Sequence, residues 1–158
     1  MYYLTTTRFN NETINQNKEY CKKHNIKSCI YGSPMRIKGN IPVKSDVFVL
    51  EMNNSKNKIQ GIGLITNFVY CDKRYNIYKD GNYNRYVYKG QNYLDLECLS
   101  KIEQEIINVL EILLFKGAKH SKRAQGICEI PLWIKKNKHE FCFVNAVKNM
   151  FLKRNLIK

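Results

Sequence analysis

The chain has 158 residues, enough for one domain with a real core and too few for two comfortable ones. Its 44% hydrophobic and 25% charged content is ordinary for a folded protein, and its longest apolar run is only a few residues, which excludes a transmembrane helix. The charge balance is not ordinary: 27 Lys+Arg against 13 Asp+Glu leave +14, a field that favours polyanions, nucleic acid before anionic membrane.

Tyr2 to Thr7 reads as a short strand with β-branched residues, and Asn10 or Asn11 can cap a helix running to about His24. Ile26 to Tyr31 is a second strand, closed by Gly32-Ser33-Pro34. After a loop from Lys38 to Pro42 comes the most informative stretch, Asp46 to Thr66. Two apolar runs, Val47 to Met52 and Ile59 to Ile65, flank the polar Asn53 to Asn57, which predicts a β-hairpin. Gly61 and Gly63 sit inside the second strand, where glycine marks a bulge or the close approach of another backbone or a ligand. Phe68 to Tyr78 is expected to be extended and Lys79 to Asn82 to turn. Tyr83 to Lys89 alternates as a strand closed by Gly90.

The period then changes. Leu96, Leu99, Ile102, Ile106, Val109, Leu110 and Leu113 recur at helical spacing, with Asp95 as cap and Gly117 as stop, so this apolar face should be buried. A basic loop, Lys116 to Gln125, follows. Ile127 to Trp133 is a strand or extended arm broken by Pro131. Glu140 to Leu156 is a final helix with Phe141, Val144, Val147, Met150 and Phe151 inward. The sum is an α+β domain: a small curled mixed sheet or β-barrel flanked by about three helices.

Two segments carry ligand-facing residues. On a strand from Tyr83, Asn84, Tyr86 and Tyr88 share one face and Tyr83, Arg85 and Val87 the other. Tyrosine offers a stacking platform and arginine a flat cation, although tyrosine also half-buries well in sheets. The second segment places Lys116, Lys119, His120, Lys122 and Arg123 at a helix end. A helix dipole favours cations there but does not require so many, so phosphate contact is expected. From Lys116 onward there are 11 Lys+Arg and two acids, an asymmetry that argues for a binding face. The bland alternative for the charge is codon bias in an Asn-, Lys-, Ile- and Tyr-rich chain.

The six cysteines are spread without a CxxC, and MYYLTTTRF has no signal-peptide character, so reduced thiols in the cytoplasm, or the nucleus, are expected. Cys21-x-x-His24 and His139-x-x-Cys142 form a mirrored pair that could ligate zinc; incidental spacing is commoner, and no metal or cofactor is expected. No GxSxG, Walker loop or HExxH is present, so no catalytic residue is assigned.

The order of features resembles the YTH and EVE domains of the PUA-like superfamily. The opening strand Tyr2-Tyr3-Leu4, the Cys29-Ile30-Tyr31-Gly32-Ser33-Pro34 strand and turn, and the hairpin with Asn53-Asn54-Ser55 and Ile59-Gln60-Gly61 carry the resemblance. Ser121-Lys122-Arg123-Ala124-Gln125 falls where that family has a phosphate-contacting loop. The family's first cage tryptophan would fall near Ile30 or Tyr31; this chain has none there, its one tryptophan being Trp133. The resemblance implies a PUA-like barrel and a pocket between the Ser33-Pro34 turn, the Asn53-Asn54 tip and the tyrosine strand.

The expectation is therefore a nucleic-acid-binding protein without catalysis, favouring single-stranded RNA. Tyr31, Tyr86 and Tyr88 would stack on bases, and Arg85 with the basic loop would contact phosphate. Asn53 and Asn54 could meet a base edge beside Ser33, although forming the hairpin turn is the commoner role for such residues. The Asn/Lys/Ile bias resembles proteins of AT-rich large DNA viruses, which would put the chain in a cytoplasmic viral factory or virion. Two other classes stay open: a basic structural or genome-packaging component, and a small nucleic-acid-processing enzyme. A tyrosine-lined pocket favours the reader, a flat basic face the packager, and clustered acids in a groove the enzyme.

Overall fold

The computed structural model describes all residues, 1–158. Its sheet has six strands: β1 (Tyr2–Phe9), β2 (Ile30–Ser33), β3 (Asp46–Asn53), β4 (Lys58–Thr66), β5 (Tyr86–Asp95) and β6 (Cys128–Glu129). They lie in the order β2-β5-β4-β3-β1-β6 and curl into a half-barrel. Only β1 and β3 run parallel. That pairing needs a crossover, which α1 (Asn11–Lys23) and β2 supply. The other helices are α2 (Lys101–Phe115), the short α3 (Leu132–Lys135) and α4 (Phe143–Lys153). The α+β fold is the one the periodicities predict. No helix is long and apolar enough to cross a membrane.

Strand alternation divides the core into two layers. From β3, Phe48, Leu50 and Met52 face one layer with Ile107 and Leu110 of α2 and Val147 and Phe151 of α4. Val47 and Val49 face the other, with Ile14 of α1, Tyr31, Tyr78 and Tyr88. The sheet does not close: β2 and β6 are its edges. Gly126, just before β6, nevertheless lies beside Ser33 at the end of β2. This unclosed seam positions the site.

Several boundaries differ from the expected ones, each for a local reason. Ile26 to Cys29 is not strand, because Asn25 turns with φ 56° and the Ile26 amide closes the helix on the Cys21 carbonyl. β5 starts at Tyr86, not Tyr83. Gly81–Asn84 forms a 3-10 turn instead, held by Asp80 accepting from the Asn82 amide and by Asn84 bonding both backbone groups of Tyr78. Such side-chain bonds compete with the ladder. Asp95 caps only a 3-10 turn, Leu96–Cys98. Ser100 caps α2, in a capping box with Glu103. α4 starts at Phe143 rather than Glu140, because Asn137 ties down the amides of His139 and Phe141. Phe141 is therefore outside the helix and exposed.

Gly61 and Gly63 do mark a close approach, but by this chain's own tyrosines. A methyl at Gly61 would overlap the Tyr93 hydroxyl, and one at Gly63 the Tyr31 hydroxyl. Both phenols cross the glycine track to donate to Glu51, at 2.7 Å from Tyr31 and 3.0 Å from Tyr93. A register shift between Leu50 and Met52 places Glu51 at the bulge.

Candidate functional site

Two clefts collect the ligand-facing residues. The first, about 600 Å³, lies at the seam between β2 and β6. Its walls include Arg8 from the end of β1, Asn54 from the hairpin tip, Tyr83, and Lys122, Arg123 and Gln125 from the basic loop. Lys79 adds another cation; Glu12 and Asp80 are its two acids. Both acids are occupied locally, Glu12 by Gln16 and Asp80 by the Asn82 amide.

Arg8 organises this cleft. Its guanidinium donates to the Thr6 hydroxyl at 2.8 Å, the Gly126 carbonyl at 2.6 Å and the Ser121 carbonyl at 3.2 Å. These bonds staple the basic loop to β1. Every oxygen partner is neutral, its Nε is buried without a partner, and no carboxylate pairs with it. Burial lowers its pKa from the ordinary value, the direction expected of a cation with desolvation uncompensated. Asn54 donates to the Lys122 carbonyl at 2.9 Å, and its buried Oδ1 has no partner. The cleft is thus backed by a positive charge that no carboxylate neutralises.

The second cleft, about 530 Å³, is lined by Arg36, Phe68, Arg85, Tyr86 and Tyr88 among others. Arg36 stacks over the Tyr86 ring at 4.9 Å and Arg85 at 5.7 Å. Phe68 is 45% exposed and meets Tyr70 edge-on. The two clefts are neighbours. Gly32 lines the first and Arg36 the second, and four residues of extended chain span at most about 14 Å. Tyr83 and Tyr86 make a second, shorter bridge.

The expected residues separate accordingly. Asn54, Lys122 and Arg123 meet in the first cleft, and Arg85, Tyr86 and Tyr88 in the second. Tyr31 belongs to neither: it is fully buried, bonded to Glu51, and offers no ring face to a base. Tyr88 is nearly as buried, and its hydroxyl accepts from the Ile37 amide. Ser33 is buried with its hydroxyl donating to the Met35 carbonyl, and Asn53 is buried accepting from the Ser55 and Lys56 amides. Both shape turns rather than meet a ligand. His120 accepts from the Lys122 amide. Lys116 and Lys119 lie off both clefts, Lys119 over Trp133.

The mirrored Cys/His pairs are not brought together. Cys21 packs with the core layer under α1, whereas Cys142 caps α4 on the other layer. No three His, Cys, Asp or Glu side chains form a cluster that could hold a metal, and all six cysteines are free.

Sequence reasoning missed Arg8, Arg36, Phe68 and Lys79. Arg8 had a signal: a lone arginine in Thr5-Thr6-Thr7-Arg8-Phe9, a run otherwise suited to a buried strand. Arg36 and Phe68 lie in irregular segments, where no periodicity tells which way a side chain faces. Compared with known proteins, the chain matches no family model, no curated protein and no solved structure.

Proposed function

We propose that the protein binds single-stranded nucleic acid, RNA foremost, across the two clefts. Backbone phosphates would lie against Lys79, Lys122 and Arg123, with the hydrogen-bonded Arg8 adding its charge from behind them, and a neighbouring base would stack on the Arg36–Tyr86–Arg85 surface. The observation that carries the reading is that none of these cations has an acidic partner. The four ion pairs of the fold use Lys58, Lys135, Lys153 and Arg154. Unpaired cations beside the arginine-covered Tyr86 and the exposed Phe68 match what a single strand presents, alternating phosphate and base. The free thiols fit a reducing compartment, cytoplasmic or nuclear.

The test is equilibrium binding of a fluorescent single-stranded RNA, with a duplex of equal length as competitor. The single strand should bind more tightly, Tyr86→Ala should erode that preference, and Lys122→Glu with Arg123→Glu should weaken both ligands. Equal affinity for strand, duplex and an unrelated polyanion would instead identify a packaging protein without base contact.

A further inference from the structure

Away from both clefts, α2 leaves part of its apolar surface uncovered. Ile102, Ile106, Val109 and Leu113 form one wall of a groove of about 620 Å³, opposite Trp133, Phe141 and Phe143. Ile102 is 72% exposed and Val109 46%. The buried face of α2 uses other residues, Ile107, Leu110, Leu114 and Phe115; Ile106 and Leu113 pack partly against that core, and Ile102 and Val109 do not. Contiguous apolar surface of this kind marks an interaction site.

We propose that the groove is where two copies of this chain associate about a two-fold axis running along it. Its two walls are self-complementary. The helix wall carries the acid Glu105, and the opposite wall carries Lys138 and His139. Two-fold symmetry about that axis sets each helix wall against the other copy's 133–143 wall. Aliphatic stripe then meets aromatic cluster, and Glu105 meets Lys138, twice over. A chain of net charge +14 repels its copy over most approaches. Glu105–Lys138 pairs formed between the copies would relieve that repulsion locally.

Sedimentation equilibrium on nucleic-acid-free protein tests this, together with the emission of Trp133, the chain's one tryptophan. The proposal predicts a shift with rising concentration from 18.7 kDa towards twice that mass, with Trp133 emission moving to the blue over the same range. Glu105→Lys should weaken the dimer about tenfold, and adding Lys138→Glu should restore it. Val109→Glu, at an exposed position, should give a monomer of unchanged melting temperature. Monomer mass at every concentration, or a dimer indifferent to Glu105→Lys and Val109→Glu, would overturn the proposal. Neither outcome bears on the clefts.

Discussion

Glu51 is a carboxylate buried in the sheet interior with two phenols donating to it. Burial raises its pKa above the ordinary value, against the opposing pull of the Tyr31 and Tyr93 hydrogen bonds. The native state therefore holds this proton more tightly than the unfolded chain does. Stability contributed by the group falls as pH rises from about 4.3, the unfolded value, through the raised native one. Glu51→Gln removes that dependence. Its melting temperature relative to wild type should increase as pH climbs from 4 towards neutrality; a constant difference would mean an ordinary carboxylate. The same cluster explains the strand glycines. Gly63→Ala would push a methyl against the Tyr31 ring and to 2.7 Å from Cys29 Sγ, both buried. It should cost about 2 kcal/mol by overpacking, measured by urea denaturation. That something approaches Gly61 and Gly63 was legible in the sequence. That it would be two tyrosines was not, because the pairing of Tyr31 and Tyr93 with Glu51 depends on long-range register.

At the scale of elements, caps decide what is legible. Asn10 and Thr13 form a capping box at the predicted start of α1, and His24 is its C-cap as predicted. For α2 the apolar period runs on through Leu96 and Leu99, and Asp95 is a sound cap, so periodicity places the start at Asp95, ahead of the true cap. Ser100 is the competing signal, and Glu103 three residues later completes its box. Periodicity also could not say which of two apolar stripes on α2 faces the sheet. Glu103 does more than cap. Arg154 grips it at 2.5 and 3.2 Å, with Lys153 at 3.6 Å, tying α4 to α2. The Arg154 hydrogen bonds, with that positive charge, hold its pKa at about 2. A depressed carboxyl stabilises above its unfolded pKa and loses that contribution as pH falls towards about 2. Arg154→Ala should destabilise by about 2 kcal/mol at neutral pH, and the deficit should shrink as pH falls from the ordinary carboxylate value towards about 2. A deficit unchanged by acid would assign Arg154 to packing alone.

For the molecule as a whole, an excess of cations has few acids to neutralise it, and the fold concentrates part of it at the seam where the sheet fails to close. The sequence made the charge and its C-terminal bias visible. It could not show that Arg8, from the first strand, would meet the basic loop there, a contact between residues more than a hundred positions apart. The Tyr31 expectation failed for another reason: it rested on the position of the family's cage tryptophan, and here that position faces the core and bonds Glu51. Phosphate contacts release counterions, so each one steepens the fall of affinity with salt, by about 0.7 in the log–log slope for a single strand. Single-strand binding through the seam is tested most directly by that slope for a single-stranded RNA, in wild type and in Lys79→Ala/Lys122→Ala/Arg123→Ala. Phosphate contact at these cations gives steep salt dependence in wild type and a slope shallower by about two in the triple variant, with the melting temperature unchanged. Tight binding with the same slope in both proteins would contradict it, as would no binding at low salt.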